Sequence, residues 1–364
     1  MRMGVPVLEA KYHQFKDELY KQFLSASNLP TPETKKNVLI NLLNGTFEIA
    51  DDKQELRGQR REDFLKYQLP FEYNPDARCP MFDKYLNRVV PDADCRKVLA
   101  EYLGYIFINN LKLEKALILY GSGANGKSVF FEIVNAILGD ENICSYSLQN
   151  LTKYDSYQRA ELSNKLLNYA SEINGKLEAS IFKQLVSGEP VEARQIYGKP
   201  FVMRDYGKLM FNCNELPKEV EQTNAFFRRF IIIPFNQTIP ESEQDPELAK
   251  KIIASELSGV FNWLLDGLRR VLAQRKFTQS EMVQDQVDAY RRESDSVAMF
   301  IEDEGYKPAV EDFVFLKGIY GDYKTFCTDN GYRACSIRTM SDRLRSLLFE
   351  SKKTMHGIIV YAKK

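Results

Sequence analysis

Between about residues 111 and 275, short apolar runs alternate with stretches whose apolar residues recur at helical spacing. The runs at 116–120, 166–170, 207–212 and 230–234 read as strands, and 127–138, 178–187, 247–254 and 256–273 read as helices. Strands that alternate with helices predict a mostly parallel sheet covered on both faces.

The flanking regions have other textures. Up to about residue 110, charged and aromatic residues mix with turns at Leu69-Pro70, Asn74-Pro75 and Cys79-Pro80. This region ends in an amphipathic helix over Asp94–Ile108 that Asp92 or Asp94 can cap. Arg57, Arg60 and Arg61 form a small basic cluster, read as a solvated face. From about 290 the pattern gives a helix over Phe313–Thr328 with Asn330-Gly331 as its stop, then a second helix from a Ser336 cap to Leu348. The Thr354–Tyr361 segment around Gly357 reads as a hairpin, completing a winged-helix layout. Arg338, Arg343, Arg345, Lys352 and Lys353 make this tail locally basic, which a solvated surface explains as well as DNA does. The expected organisation is α/β: a helical N-terminal region (1–110), a P-loop core (111–275) and a small winged-helix-like domain (290–364).

One stretch carries explicit chemistry. Gly121, Ser122, Gly123, Ala124, Asn125, Gly126, Lys127 and Ser128 fit G-x-x-x-x-G-K-[ST] without a mismatch, between a strand and a helix. A nucleoside triphosphate carries about four negative charges, so a protein must meet it with N–H donors and cations. The glycines let successive amides turn inward, and the helix start adds partial positive charge. Lys127 can reach the β- and γ-phosphates, and the Ser128 hydroxyl can ligate Mg²⁺.

Downstream residues narrow the chemistry. The strand Lys165–Ala170 runs through Ser171 into Glu172, a carboxylate placed to orient or deprotonate water and, with Ser128, to hold Mg²⁺. A later strand ends at Asn214, whose amide can hold the attacking water or sense the γ-phosphate. Arg228 and Arg229 then precede the strand at 230–234. An arginine directed at a neighbouring subunit's nucleotide is worth about 10³–10⁵ in rate.

Composition adds boundaries. Lys plus Arg equals Asp plus Glu, 50 against 50, so net charge neither supports nor excludes a nucleic-acid partner. The six cysteines are dispersed without a C-x-x-C pair, and the histidines are His13 and His356, which leaves no zinc pattern and suits a reducing cytoplasm. No run approaches the roughly 18–20 apolar residues of a membrane span. A soluble cytoplasmic protein is expected.

Gly121–Ser128, Ala170–Glu172, Lys208–Pro217 and Phe227–Pro234 resemble the A, B and C motifs and arginine segment of superfamily three helicases. The resemblance is to the phage and plasmid primase-helicases related to the poxvirus primase-helicase. Glu178–Gly188, Val191–Arg194, Tyr73–Pro80 and Glu101–Gly104 extend it over about residues 35–275.

The resemblance implies an AAA+-like ATPase using ATP and Mg²⁺, with Lys127, Ser128, Glu172 and Asn214 in the roles above. Arg229, or its rival Arg228, would act in trans, and Lys183 is a second trans candidate. It also implies a ring, usually a hexamer, on single-stranded or forked DNA, with a primase-polymerase domain upstream in the longer protein. Pro190–Arg204 alternates enough to be a β-hairpin with its tip at Tyr197–Pro200. In such helicases a hairpin there enters the channel, making Lys199, Tyr197 and Arg194 the DNA contacts. The expected function is an ATP-driven replicative helicase. The alternative is an ATP-regulated initiator or loader, while the sensor Asn, the arginine pair and the hairpin count against a small-molecule kinase.

Overall fold

The computed structural model describes residues 11–27, 37–50, 53–171, 173, 177–218 and 220–364. The chain divides into a unit spanning residues 1–36 and a second spanning 37–364. The first contributes one described helix, α1 (His13–Ala26), with no buried residue.

The second unit opens on an antiparallel meander of β1 (Val38–Leu42), β2 (Gly45–Ala50) and β3 (Lys53–Arg57), followed by α2 (Pro80–Val89) and α3 (Ala93–Tyr105). The meander was not anticipated from the sequence. Its signal is Asn44-Gly45 between apolar runs: Leu43-Asn44 make the turn and set Leu42 opposite Gly45. Arg57, expected on a solvated face, is instead half-buried: it makes a bidentate pair with Asp63 at 2.8 and 2.9 Å and a further contact to Glu48. That guanidinium holds the Glu48 carboxyl below its ordinary range. Arg60 and Arg61 are exposed as expected.

The central sheet comprises β4 (Ala116–Tyr120), β5 (Ile143–Cys144), β6 (Leu167–Ala170), β9 (Lys208–Cys213) and β10 (Phe230–Pro234). All its pairings are parallel, in the order β10-β4-β9-β6-β5. Between these strands lie α4 (Lys127–Leu138), α5 (Leu148–Thr152), α6 (Ala179–Ser187), the hairpin β7 (Val191–Ala193) and β8 (Phe201–Met203), and α7 (Asn224–Phe227). After them come α8 (Leu248–Gln274) and α9 (Glu281–Glu293). Side chains alternate into two cores. Leu117, Leu119, Ile231 and Ile233 pack with α2, α3, α4 and α8. Ala116, Ile118, Phe230 and Ile232 pack with α5, α6, α7 and α9. Burial on both faces explains the uninterrupted apolar runs in the sequence.

The two helices expected at 247–254 and 256–273 form one 27-residue helix, α8. Gly259 and Gly267 weaken helix propensity locally, but tertiary packing overrides it. A Cβ at Gly267 would lie 2.3 Å from the Ala100 carbonyl oxygen, so only glycine lets α8 cross α3 this closely.

The C-terminal segment contains α10 (Ser296–Asp303), β11 (Lys307–Pro308), β12 (Val314–Phe315), α11 (Leu316–Asp329), α12 (Ile337–Ser346), β13 (Ser351–Thr354), β14 (Gly357–Val360) and β15 (Ala362–Lys363). These elements share a core of their own around Phe300, Tyr323 and Leu344. Ser336 caps α12 through Thr339 N at 3.1 Å, and β13 and β14 form the expected wing. The helix expected from Phe313 begins at Leu316, because Val314 and Phe315 pair with β14 instead. No helix among the described residues is long and apolar enough to cross a membrane.

Candidate functional site

The loop after β4 is fixed from three directions. Gly121 N donates to Cys213 O at 3.1 Å, Ile239 N donates to Ala124 O at 2.9 Å, and Tyr85 Oη donates to Gly126 O at 2.7 Å. Gly126 has φ 89°, and a Cβ there would meet Val89 Cγ1 at 2.8 Å. Glycine is therefore required both by the backbone and by the approach of α2.

Lys127 is buried at 7 % exposure. Its Nζ donates to Gly121 O at 2.5 Å, Ser122 O at 2.9 Å and Asn125 Oδ1 at 3.1 Å. Burial lowers its pKa, a shift that nearby Cys213 partly opposes. Asn125 Nδ2 donates to Phe235 O at 2.7 Å, tying the loop to the end of β10. Ser122, Gly123, Ala124 and Ser128 are exposed.

This loop opens into a cleft of about 1020 Å³. One wall is α2, through Met81, Lys84, Tyr85 and Arg88; another is formed by Ile239 and Leu248. Ser171, Asn212 and Asn214 line it from the carboxyl ends of β6 and β9. Asn212 is anchored, its Oδ1 accepting from Tyr169 Oη at 2.8 Å. Asn212 lies in β9 two residues before Asn214, which follows the strand's end, a spacing that could have singled it out. The α2 residues carry no such signal, being about 40 positions upstream of the loop. Glu172 lies outside the described residues.

The residues fit a polyphosphate with Mg²⁺. Helix α4 starts at Gly126 with no side-chain cap and no acidic residue in its first turn. Uncapped starts also occur at α1, α2, α6, α8 and α11, so what sets α4 apart is the glycine-rich loop and buried lysine at its start. An uncapped helix start beside a buried lysine and an exposed serine offers donors of the kind phosphate oxygens need. Among the described residues no group of three or more His, Cys, Asp or Glu side chains is placed to hold a metal.

The arginines are elsewhere. Arg229 O accepts from Ala116 N at 2.8 Å, so the pair stands beside the start of β4. The loop leaves β4 after Tyr120, five residues later, or roughly 16 Å at about 3.3 Å per residue. Arg229, first choice for a trans contact, is 8 % exposed. It donates to Ser187 Oγ at 3.0 Å and to Ala225 O, and lies 3.3 Å from Glu114 Oε2. Such a buried guanidinium braces α6 and α7 and is not presented to another chain. Arg228 is the outward member: its side chain is 51 % exposed and pairs with Glu114 Oε2 at 2.7 Å.

Lys183 is also engaged, with Nζ 2.8 and 3.0 Å from the Glu221 carboxylate, whose pKa it lowers. The β7–β8 hairpin forms as expected, with Tyr197 fully exposed and Ile196 beside it at 66 %. Lys199 is exposed at the same tip, whereas Arg194 Nε is bonded to Gly198 O at 3.1 Å and shapes the turn.

Three family models match successive parts of the chain: "D5 N terminal like" at residues 8–91, "Family of unknown function (DUF5906)" at 119–229, and "Poxvirus D5 protein-like" at 292–363. The chain is 24% identical over 229 residues to "Putative helicase L207/L206" of Acanthamoeba polyphaga mimivirus, covering 60% of this chain and 24% of that protein. It is 24% identical over 315 residues to "Putative helicase 121R" of Invertebrate iridescent virus 3, covering 76% of this chain and 33% of that protein. The chain thus spans a quarter to a third of the length of these relatives. Among solved structures, the apo NrS-1 C-terminal region is similar at 14% identity with a TM-score of 0.49, covering 95% of this chain and 90% of that one. Two D5-type models thus flank the model of unknown function, and the chain is similar to viral proteins named putative helicases.

Proposed function

We propose that this chain is the ATPase motor of a replicative DNA helicase that works as a ring, most simply a hexamer. The observation carrying this reading is the division of the catalytic set between the two ends of one sheet. The phosphate-binding loop and Asn214 stand at the carboxyl ends of the strands, while Arg228 stands roughly 16 Å away at the start of β10. Arg228 is too far to serve its own cleft but is exposed to serve a neighbour's.

In this reading the phosphates seat on the uncapped start of α4 and displace the loop carbonyls from Lys127 Nζ. Ser128 and Glu172 would hold Mg²⁺, which neutralises charge on the β- and γ-oxygens. Glu172 would take a proton from the attacking water while Asn214 orients it. Water oxygen bonds to the γ-phosphorus, the bond to the β-phosphate oxygen breaks, and ADP and phosphate leave. Arg228 of the adjacent copy would stabilise the charge that develops. Of the two arginines the exposed one fits this role. Freeing a surface ion pair costs about 0.2–1 kcal/mol, whereas breaking a buried one costs about 3–5 kcal/mol. Lys183 is bound within its own chain, so a trans role would require exchange of Glu221.

The hairpin tip supports a DNA contact. Tyr197 can stack on a base, worth about 1–3 kcal/mol, and Lys199 can follow the phosphates, with Arg194 holding the turn. A neutral chain can still present a positive channel when one lysine per copy is repeated around a ring.

The test is mixing. Lys127→Ala and Arg228→Ala chains should each be inactive, and a 1:1 mixture should regain hydrolysis at about a quarter of random interfaces. Forked-duplex unwinding by the wild type supports a helicase. ATP-dependent DNA binding without strand displacement identifies an initiator or loader instead, and a hydrolytic monomer sinks the ring.

A further inference from the structure

The turn entering β4 gathers charge at the amino-terminal end of the sheet. Glu114 sits at φ 52°, and its Oε2 lies 2.7 Å from Arg228 Nη2 and 3.3 Å from Arg229 Nη2. Lys115 Nζ donates to the Arg228 carbonyl at 2.5 Å, and Lys112 Nζ to Gly188 O at 3.3 Å. Burial lowers the pKa of Lys115, with the Arg228 charge adding to the shift. One carboxylate is therefore shared by two guanidiniums beside two further lysines.

We propose that Glu114 is a stand-in for phosphate: it holds Arg228 in the unassembled chain and yields it to the nucleotide carried in a second copy's cleft. This inference rests on the ring reading above. A carboxylate and a terminal phosphate present the same acceptor geometry to a guanidinium, and the polyphosphate carries more charge. Release does not orphan Glu114, because Arg229 stays beside it. The Arg228 backbone stays in place as well, since Lys115 grips its carbonyl. Only the half-exposed side chain has to swing. Glu114 is thus a positioning residue, and it sets how much nucleotide assembly requires.

The experiment compares wild type, Glu114→Gln, Arg228→Ala and the double variant by sedimentation, titrating a non-hydrolysable ATP analogue at fixed protein concentration. Glu114→Gln keeps the shape and removes the charge. It should lower the nucleotide needed for half-maximal assembly by about 2- to 5-fold, the range of a surface ion pair. In the Arg228→Ala background the same change should have no effect. Glu114→Asp, with its shorter reach, should fall between, and covers the case in which Glu114→Gln does not fold. A wild type that assembles while Glu114→Gln and Glu114→Asp need as much nucleotide overturns the proposal, as does a shift that persists without Arg228. A wild type that never assembles with nucleotide defeats the ring reading itself, a separate result that removes the inference with it.

Discussion

The two ends of the central sheet are built on opposite principles. At the carboxyl end, the loop after β4 offers backbone groups, an uncapped helix start and a single buried lysine, around a cleft of about 1020 Å³. At the amino end, Lys112, Lys115, Arg228 and Arg229 crowd around Glu114 and neighbouring carbonyls. One end leaves donors for a ligand; the other ties most of its charges to its own chain, although Arg228 and Lys112 reach solvent and the buried Arg229 Nε has no partner. The difference teaches that residue types gathered by one sequence can be held apart by the sheet that carries them. A parallel sheet holds its two ends apart by the length of its strands.

The sharpest way to break this contrast is at the carboxyl end. Lys127→Ala should reduce ATP hydrolysis by about 10²–10³-fold, because a preorganised charge is lost where transition-state charge develops. Phosphate release, measured beside an unchanged thermal melt, checks it. At the amino end the two arginines should separate by kind of effect. Arg229→Ala should lose about 2–3 kcal/mol of stability in urea unfolding, since Ser187 Oγ and Ala225 O lose their buried donor. Arg228→Ala should leave that transition within about 0.5 kcal/mol and act on hydrolysis and nucleotide-driven assembly instead. Equal destabilisation by both would erase the distinction.

The hairpin belongs to neither end, so its removal should spare both. Tyr197→Ala should weaken single-stranded DNA binding by about 1–3 kcal/mol in fluorescence anisotropy, with DNA-independent hydrolysis unchanged.

The smallest effect concerns Lys208, which opens β9 at the amino end with its ammonium 4.5 Å from the Tyr105 ring centroid. Burial, with a lesser push from Lys112, lowers its pKa to about 8. A depressed lysine penalises the fold while protonated, so the penalty is full below about 8 and is relieved as pH rises toward the ordinary value of 10.5. Lys208→Met should therefore stabilise the protein at pH 7 by on the order of 1 kcal/mol, with the gain shrinking between pH 8 and 10. A gain independent of pH in paired urea titrations would show that Lys208 is not the cause.

Much of the core was legible because its signals are local. The strand at 116–120 and the helix at 127–138 have the expected bounds, and the strands expected at 166–170 and 207–212 shift by one residue. The hairpin at 191–203 and the Ser336 cap also rest on local turn chemistry. What escaped depends on partners distant in sequence. Helix α8 is continuous because it is packed against α3, and Arg57 is drawn inward because Glu48 and Asp63 converge on it. The cleft wall of Met81, Lys84, Tyr85 and Arg88 comes from a helix with no motif of its own.

The sequence alone determined the glycine-rich loop after β4, the main strands and helices of the central core, and the residue types that accompany that loop, since spacing and turn chemistry act over a few positions. Only the tertiary structure decided which of Arg228 and Arg229 faces outward. Adjacent residues entering a strand point to opposite sides, and which side is solvent depends on where Glu114, Ser187 and Ala225 are brought by the rest of the fold.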